Sequence, residues 1–348
     1  MTLGLYLSRI FAGRILAVAF VLVTLGVSLE VIQFADRLVE VGGAGALLTY
    51  ARLSAPAMLA TVLPLAILLG GLTGFLALGI RSELTVMRAS GLSLFSLLRR
   101  LLPLAILLGA INTVLVDRAP AWSAAALGAA FGGIVDVPAP EAGDRVMSRS
   151  GDQVVAARLD RPDGTALAPV TIFALDEEGT VRGRLQAARA DFSDGRWRLS
   201  EISRVGQAGG LAEEDGIWRT RLTPADVRAL ASNGHVASAA EAAAALSGAA
   251  IATRSASYYR TRIWRARAAV AVPMVMILLS ALAGFSMTRG GGLGLAALGG
   301  GMGFGFVAFD GMVASLGQIG ILPAPLAALG PTLLAAGLGA TVLLAKEG

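Results

Sequence analysis

Long apolar runs separated by short charged segments occupy both ends of the chain, and the middle is polar. The runs are at about Ile15–Val31, Ala55–Ile80, Leu94–Asp117, Ala268–Met287, Leu293–Leu316 and Leu326–Leu344. Each is near the length of about 20 residues that an α-helix needs to cross a bilayer. The pattern predicts a polytopic α-helical membrane protein with six transmembrane helices, three in residues 1–134 and three in residues 254–348. The first run is too long for a cleaved signal peptide, so we expect a retained span.

Within residues 135–253, several segments alternate apolar and polar side chains with a period of two, which is typical of strands. The segments are Gln153–Leu159, Val170–Leu175, Val181–Ala187, Trp197–Ile202 and Trp218–Leu222. Turn signals separate them, including Pro162-Asp163-Gly164 and Asp194-Gly195. The pattern predicts an inserted antiparallel β domain, a sandwich or jelly roll, followed by a surface helix or linker at Ala237–Ala252.

Basic residues in the short segments set the expected orientation. They would share one side of the membrane if the number of spans is even, and that side is expected to be the cytoplasm. They are Arg9, Arg14, Arg81, Arg88, Arg99, Arg100, Arg289 and Lys346. Both termini are then expected in the cytoplasm, and the β domain outside it.

The composition excludes several kinds of chemistry. The chain has 348 residues, 15% of them charged, against about 25% in soluble domains. It has no cysteine, and His235 and Lys346 are its single histidine and lysine. We therefore expect no thiolate or metal site, no bound cofactor and no nucleic-acid partner. A phosphate-binding G-x-x-x-x-G-K-[ST] loop is absent, so any ATP and magnesium would be bound by another chain.

The segment Arg81–Gly91, between the second and third apolar runs, has the character of a short amphipathic helix. Its sequence is R-S-E-L-T-V-M-R-A-S-G, and Gly91 is placed to end a helix at about residues 82–90. Its predicted apolar side consists of Leu84, Val86 and Met87. The segment predicts a contact with a soluble partner. The alternative is a cytoplasmic loop whose arginines only set topology.

Glu83 is the strongest single candidate in this segment. An acid in a basic, partly apolar helix can pair with an arginine of a partner, and such a partly buried pair matters energetically. The alternative is a weak pair within the segment, with Arg81 or Arg88.

Arginines gather near the predicted outer ends of the spans. They are Arg37, Arg52, Arg118, Arg254, Arg260, Arg262, Arg265 and Arg267. Because guanidinium groups bind phosphate in a forked geometry, they indicate a ligand with anionic head groups and acyl chains. Interfacial anchoring, helped by Trp264, is the alternative. Glu30 and Asp310 lie within apolar runs. Acids inside a membrane are often functional, and the alternative is that these two lie close enough to the outer surface to reach water or an arginine.

Three motifs are the most specific in the chain: F-A-D-R-L at Phe34–Leu38, the segment Arg81–Gly91, and G-F-G-F-V at Gly303–Val307. With these motifs, the whole chain resembles the lipopolysaccharide-export permease family, the paired F and G membrane subunits of an ABC exporter. The first two motifs are more similar to the G subunit. The G subunit has substrate-binding lysines on and after span one, whereas here Gln33, Val39 and Glu40 occupy that region.

The resemblance implies a transport subunit without catalysis of its own, in a bacterial inner membrane, with a periplasmic jelly-roll domain. The implied partners are a cytoplasmic ABC ATPase dimer, a second permease subunit, a periplasmic jelly-roll bridge protein and lipopolysaccharide. The implied ATPase-coupling residues are Arg81, Ser82, Glu83, Leu84, Met87, Arg88 and Gly91. The substrate-binding candidates are Phe34, Arg37, Arg52, Arg262, Phe304, Phe306 and Asp310.

Three alternatives remain. In the first, the chain transports another lipid or a lipoprotein. In the second, it anchors a periplasmic assembly or signalling domain. An intramembrane hydrolase is disfavoured by the single histidine, the absence of cysteine and the lack of a G-x-S-x-G motif.

Overall fold

The structure is a computed structural model, and it divides the chain into two compact units. One holds Met1–Ser123 and Arg260–Gly348, and the other holds Ala124–Tyr259. It describes residues 3–131, 143, 145–150, 153–176, 180–206, 212, 216–231, 237–247, 254–287 and 292–347. The expected domain limits at 135 and 253, and also His235 and Arg289, lie outside the described residues.

Nine helices are present in these described ranges. They are α1 (Leu3–Ile80), α2 (Glu83–Ala89), α3 (Leu94–Phe131), α4 (Pro224–Ala231), α5 (Ala239–Leu246), α6 (Ala256–Ala268), α7 (Val272–Met287), α8 (Gly292–Gln318) and α9 (Ala324–Glu347). The predicted third run ends at Asp117, but α3 continues through Pro120 to Phe131. The alanine-rich sequence after Pro120 favours a helix, which explains the extension.

Four helical segments of the described chain are long and apolar enough to cross a membrane. They are Leu3–Glu40, Gly42–Ile80, Leu94–Phe131 and Ala324–Leu344, and the pair α6–α7, bent by 56°, would make a fifth. The predicted class, a helical membrane protein with a separate β region, is confirmed. Six spans are not shown, because α8 is not among these segments.

The first two predicted spans form one helix, α1, with a break at two glycines. Gly43 has φ +60° and ψ −149°, and Gly42 is also non-helical. The glycine-rich stretch Gly42–Gly45 predicts a loop between the first two apolar runs, but the break occupies only Gly42 and Gly43. Since glycine adopts a positive φ without a Cβ clash, two residues are enough to redirect the chain. We call the two parts α1N (Leu3–Glu40) and α1C (Gly42–Ile80).

α1N and α1C pack closely at Gly70 and Gly74, a small-x-x-x-small pair of the kind that lets membrane helices approach. A Cβ on Gly70 would lie 2.5 Å from the Ile15 Cα, and one on Gly74 would lie 3.0 Å from the Phe11 ring. The Phe11 and Phe75 rings meet edge to face, 4.7 Å apart. Small residues let helices approach in this way where lipid provides no hydrophobic driving force.

The glycines of α8 have more than one role. A Cβ on Gly303 would overlap the Leu68 side chain of α1C, so this glycine permits close packing. Gly301 and Gly305 have open space beside them instead. Glycine density of this kind indicates close packing, a bend or movement; among these three glycines, Gly303 is the one that permits close packing.

The second unit contains one antiparallel sheet in the part of the chain that is described. Its strands are β1 (Arg145–Ser150), β2 (Gln153–Leu159), β3 (Ala166–Leu175), β4 (Val181–Ser193), β5 (Arg196–Gly206) and β6 (Ile217–Trp218). Each strand pairs with the next in the order β1-β2-β3-β4-β5-β6. This order is a meander, so the predicted sandwich or jelly roll is not shown. The order follows from tight turns between strands, such as Asp194-Gly195 with φ +53° and +75°.

Trp197 holds the core of this sheet. Its side chain is 1% exposed, and its indole N–H donates to the Leu222 carbonyl at 2.7 Å. In the predicted turn after β2, Asp163 accepts hydrogen bonds from the Thr165 hydroxyl and N–H at 2.6 and 2.9 Å. These bonds, the hydroxyl first, lower the pKa of the Asp163 carboxyl.

We expect Gly70→Ala to destabilise the protein, because its new methyl group overlaps the backbone of α1N. Overpacking of this kind costs about 1–3 kcal/mol. Thermal unfolding in detergent would measure it, with Gly45→Ala as the matched control, since a Cβ there meets nothing within 4 Å. Equal melting temperatures for the two variants would contradict the close packing.

Candidate functional site

Local hydrogen bonding sets both ends of α2. Ser82, just before the helix, has φ +55°, and its carbonyl accepts from the Val86 N–H at 3.0 Å. At the other end Gly91 has φ +83°, and the Leu92 N–H donates to the Met87 carbonyl at 3.1 Å. This pattern closes a helix with glycine just past its end. The predicted helix over residues 82–90 is observed as Glu83–Ala89.

α2 is attached to the membrane unit by one apolar face. Leu84 is 2% exposed and belongs to the main apolar core, and Met87, one helical turn later, packs against that core. Val86 is 66% exposed, so its predicted place on the same side is wrong. Residues two positions apart point in nearly opposite directions on a helix. The outward face therefore presents Val86 to its surroundings.

Glu83 is held by two groups and stays accessible. The Tyr6 hydroxyl of α1N donates to its Oε2 at 2.9 Å, and the Arg81 Nη1 lies 3.9 Å from its Oε1. Its side chain is 28% exposed. The expected local pairing with Arg81 is thus present, whereas the Arg88 side chain lies outside the description. The sequence did not predict the contact with Tyr6. Its only signal was that Tyr6 is an aromatic residue near the start of α1N.

A second polar region is a cavity of about 310 Å³ within the membrane unit. Three of the predicted substrate residues, Arg262, Phe306 and Asp310, line it. The other lining residues are Ala60, Thr61, Pro64, Asn112, Val116, Pro120, Arg265, Ala268, Ala269, Val272, Val307, Gly311 and Ala328. The structure therefore brings α6 and α8 residues together around one space.

Arg265 neutralises Asp310 in this cavity. Its Nη2 lies 2.7 Å from the Asp310 Oδ2, and the two side chains are 27% and 19% exposed. Arg262 donates to the Val116 carbonyl of α3 at 2.7 Å. Of the two roles expected for Asp310, the structure shows the one in which it reaches an arginine. These contacts tie α6, next to its bend, to α8 and α3.

Asn112 was not singled out from the sequence, although it is a lone amide in an apolar run. It is 1% exposed, and its Nδ2 donates to the Ala269 carbonyl at 2.7 Å. Ala269 lies just after α6, where a break between helices leaves carbonyls to be satisfied. Asn112 Oδ1 has no hydrogen-bond partner among the described residues.

The remaining substrate candidates do not line this cavity. Phe34 contacts the Tyr50 ring, with centroids 5.9 Å apart, across the break in α1. Arg37 and Arg52 are exposed. Phe304 is 69% exposed, whereas Phe306 is 9% exposed, so they face opposite sides of α8. No group of three or more described histidines, cysteines or acids is placed to bind a metal.

A model of the family described as lipopolysaccharide export system permease LptF/LptG matches residues 5–345. The chain is similar to the lipopolysaccharide export system permease protein LptG of Escherichia coli strain K12, with 29% identity over 238 residues. The LptG protein of Escherichia coli O6:H1 gives the same identity. Each alignment covers 63% of this chain and 63% of the relative, which is less than two thirds of its length. Both relatives are of the G type, which the motifs predicted.

We expect Asp310→Ala to destabilise the protein, because it leaves the Arg265 guanidinium without its carboxylate. Breaking a buried pair costs about 3–5 kcal/mol, and partial exposure reduces this to about 1–3 kcal/mol. Thermal unfolding of Asp310→Ala, Arg265→Ala and the double variant would measure the coupling. Arg267→Ala, at an exposed position of α6, is the control. Additive losses in the double variant would show that the pair contributes nothing.

Proposed function

Because the chain belongs to the lipopolysaccharide export system permease LptF/LptG family, we propose that it is a permease subunit that moves lipopolysaccharide out of the inner membrane. The proposed energy source is ATP hydrolysis in a cytoplasmic ABC ATPase dimer. This chain then contributes no catalysis and binds no cofactor, and the partner binds ATP and magnesium. The observation that carries the proposal is the construction of α2.

α2 combines a fixed face with an accessible one. Leu84 and Met87 join it to the core that also contains Phe11, Phe75 and Leu282. A force on its outer surface is therefore transmitted into the packed helices, because close-packed interiors do not absorb displacement. Glu83 and Val86 supply an acid and an apolar side chain on the accessible side, the combination expected for binding a basic and apolar groove.

The proposed path for lipid uses the exposed apolar surfaces of α1N and α8. Exposed large side chains there include Leu25, Leu29 and Ile32 in the later part of α1N, and Phe304, Phe309 and Met312 in α8. An apolar surface of this kind suits acyl chains or a neighbouring helix in lipid. We propose that a second permease subunit faces these surfaces and completes the lipid cavity. The exposed Arg37 and Arg52 would contact substrate phosphates.

The β unit is the proposed exit from the membrane. In this proposal it lies in the periplasm and passes lipid to a periplasmic jelly-roll bridge protein. Support comes from its own separate core, built on Trp197 and Leu199, and from its long central strands β4 and β5. Both chain termini are then cytoplasmic, as the arginine distribution indicates.

We expect Glu83→Arg to uncouple the subunit from its ATPase. Reversing the charge replaces an attraction with a repulsion, and losing one partner of such a pair costs about 2–5 kcal/mol. Stimulation of ATP hydrolysis, measured with the purified chain, its ATPase and a second permease subunit, is expected to fall by about tenfold or more.

Tyr6→Phe is the matched control for this variant. It removes the 2.9 Å hydrogen bond to Glu83 but keeps the carboxylate available to a partner. It is expected to retain stimulation. If Glu83→Arg also supports normal stimulation and co-purifies with the ATPase, the proposed coupling role is wrong.

A further inference from the structure

A basic cleft lies beside Glu83, between α1N, the end of α1C and α2. Its volume is about 430 Å³. It is lined by Arg9, Ile10, Gly13, Arg14, Ala17, Ala77, Leu78, Arg81 and Glu83. Three arginines thus face one carboxylate, which leaves a net charge of +2 on the lining.

Glu83, the single acid of the cleft, does not pair with all three of its arginines. Glu83 accepts from Tyr6 and is approached by Arg81. Arg14 makes one long hydrogen bond, 3.4 Å to the Thr73 carbonyl. Neither Arg9 nor Arg14 forms an ion pair with another of the residues that the structure describes. Two guanidinium groups are therefore available to one anion.

The position of Arg14 favours such an anion. It is about 7.5 Å further along α1N than Arg9, and the apolar run Ile15–Val31 begins directly after it. A cation at the edge of the hydrocarbon region is costly unless it reaches water or an anion. Phosphate is the matching partner, because a guanidinium binds it with two parallel hydrogen bonds.

The cleft continues into an exposed apolar stripe on the same face of α1N. Gly13 and Ala17 are exposed at its lower end, and Leu16, Phe20 and Val21 follow with 69%, 74% and 62% exposure. Residues with this spacing share one face of a helix. A ligand with a phosphate in the cleft can thus lay an acyl chain along the stripe, which a soluble phosphate or an acidic protein surface would leave uncovered.

Gly13 keeps the cleft open. A Cβ at this position meets nothing within 4 Å, so packing does not require the glycine. A glycine inside a helix costs about 1 kcal/mol relative to alanine. The glycine leaves this part of the cleft lining without a side chain.

We propose that this cleft binds the phosphate of an anionic phospholipid through Arg9 and Arg14. The lipid would then lie beside Arg81 and Glu83, so that occupancy of the cleft influences α2. The placement of the site in the cytoplasmic leaflet rests on the orientation in the proposed function. Binding itself does not depend on that orientation.

The test is lipid binding by the full chain in a neutral detergent, by native mass spectrometry and thermal shift. Phosphatidylglycerol is expected to bind about tenfold tighter than phosphatidylcholine. Arg9→Gln and Arg14→Gln are expected to lose about tenfold of that affinity, since each removes charged hydrogen bonds. Arg99→Gln, an exposed arginine outside the cleft, is expected to bind like the unchanged chain.

A second pair of variants tests the space rather than the charge. Gly13→Leu places a side chain into the cleft from a position where a Cβ meets nothing within 4 Å, so it is expected to weaken phosphatidylglycerol binding while unfolding at an unchanged or higher temperature without lipid. Gly45→Leu is the matched control, because that helical glycine also has open space beside it. This pair keeps the test valid if an arginine variant folds poorly.

Three results would overturn the proposal. Glycerol 3-phosphate binding as tightly as the lipid would assign the cleft to a free phosphate. Unchanged lipid affinity in the arginine and Gly13→Leu variants would place the lipid elsewhere. In a separate pull-down with the ATPase, loss of capture by Arg14→Gln with unchanged lipid affinity would make the cleft a protein contact. Because the lipid-binding assay contains neither ATPase nor lipopolysaccharide, its failure is distinguishable from failure of the Glu83 coupling test.

Discussion

The close contact between α1N and α1C is the constraint on which the membrane unit depends. Gly70 and Gly74 let Ile15 and Phe11 approach to a distance that a side chain at either glycine would prevent. Because the two parts run back along each other, the start of α1N comes to lie beside the end of α1C. That pairing carries Tyr6 to Glu83. The geometry around α2 is therefore a consequence of packing within the bilayer-sized helices.

Charged side chains in the membrane unit occur in two arrangements, one in which they are paired and one in which they are not. In the cavity between α3, α6 and α8, Arg265 and Asp310 neutralise one another at 2.7 Å. In the basic cleft the cations outnumber the acid, and Arg14 has only a long hydrogen bond to a carbonyl. The first arrangement is complete and holds helices together. The second is incomplete, because its lining carries three arginines and one carboxylate.

α2 connects these local arrangements to the family function. Its buried Leu84 makes it part of the core, and its first residue, Glu83, borders the basic cleft. A signal that reaches α2 from a partner protein and one that reaches it from a lipid would therefore act on the same few residues. Coupling between two sites requires such a shared element, since a ligand shifts an equilibrium only through differential contacts.

Sequence reasoning was most successful where the signal is local. The helix before Gly91, the strand Gln153–Leu159 and the turn at Asp194-Gly195 follow from cap, alternation and turn residues, and all three are present. It failed for Val86, whose apolar character says nothing about the direction in which it points. It also failed for the extent of the break in α1, because a single glycine pair does not reveal how many residues a turn uses.

The candidate sites were predicted only as residue types. Arg262, Phe306 and Asp310 were named individually, but nothing in the sequence indicates that they line one cavity with Asn112. Phe306 and Asp310, four residues apart, share one face of α8, but Arg262 and Asn112 lie too far away along the chain for any periodic pattern to relate them to that face. Phe34, Arg37 and Arg52, predicted for the same ligand, lie around the break in α1 and not on that cavity.

The amino-acid sequence by itself determined the class of protein, the two apolar regions around a β domain, the family and the short helix at α2. Each of these depends on composition, on spacing over a few residues, or on motifs. Tertiary structure alone decided that Tyr6 donates a hydrogen bond to Glu83 and that Arg265 forms an ion pair with Asp310. It also decided that Arg9 and Arg14 share a cleft with Arg81. The physical reason is that charges and hydrogen-bond partners are paired by helix packing, and packing joins residues that are far apart in the chain.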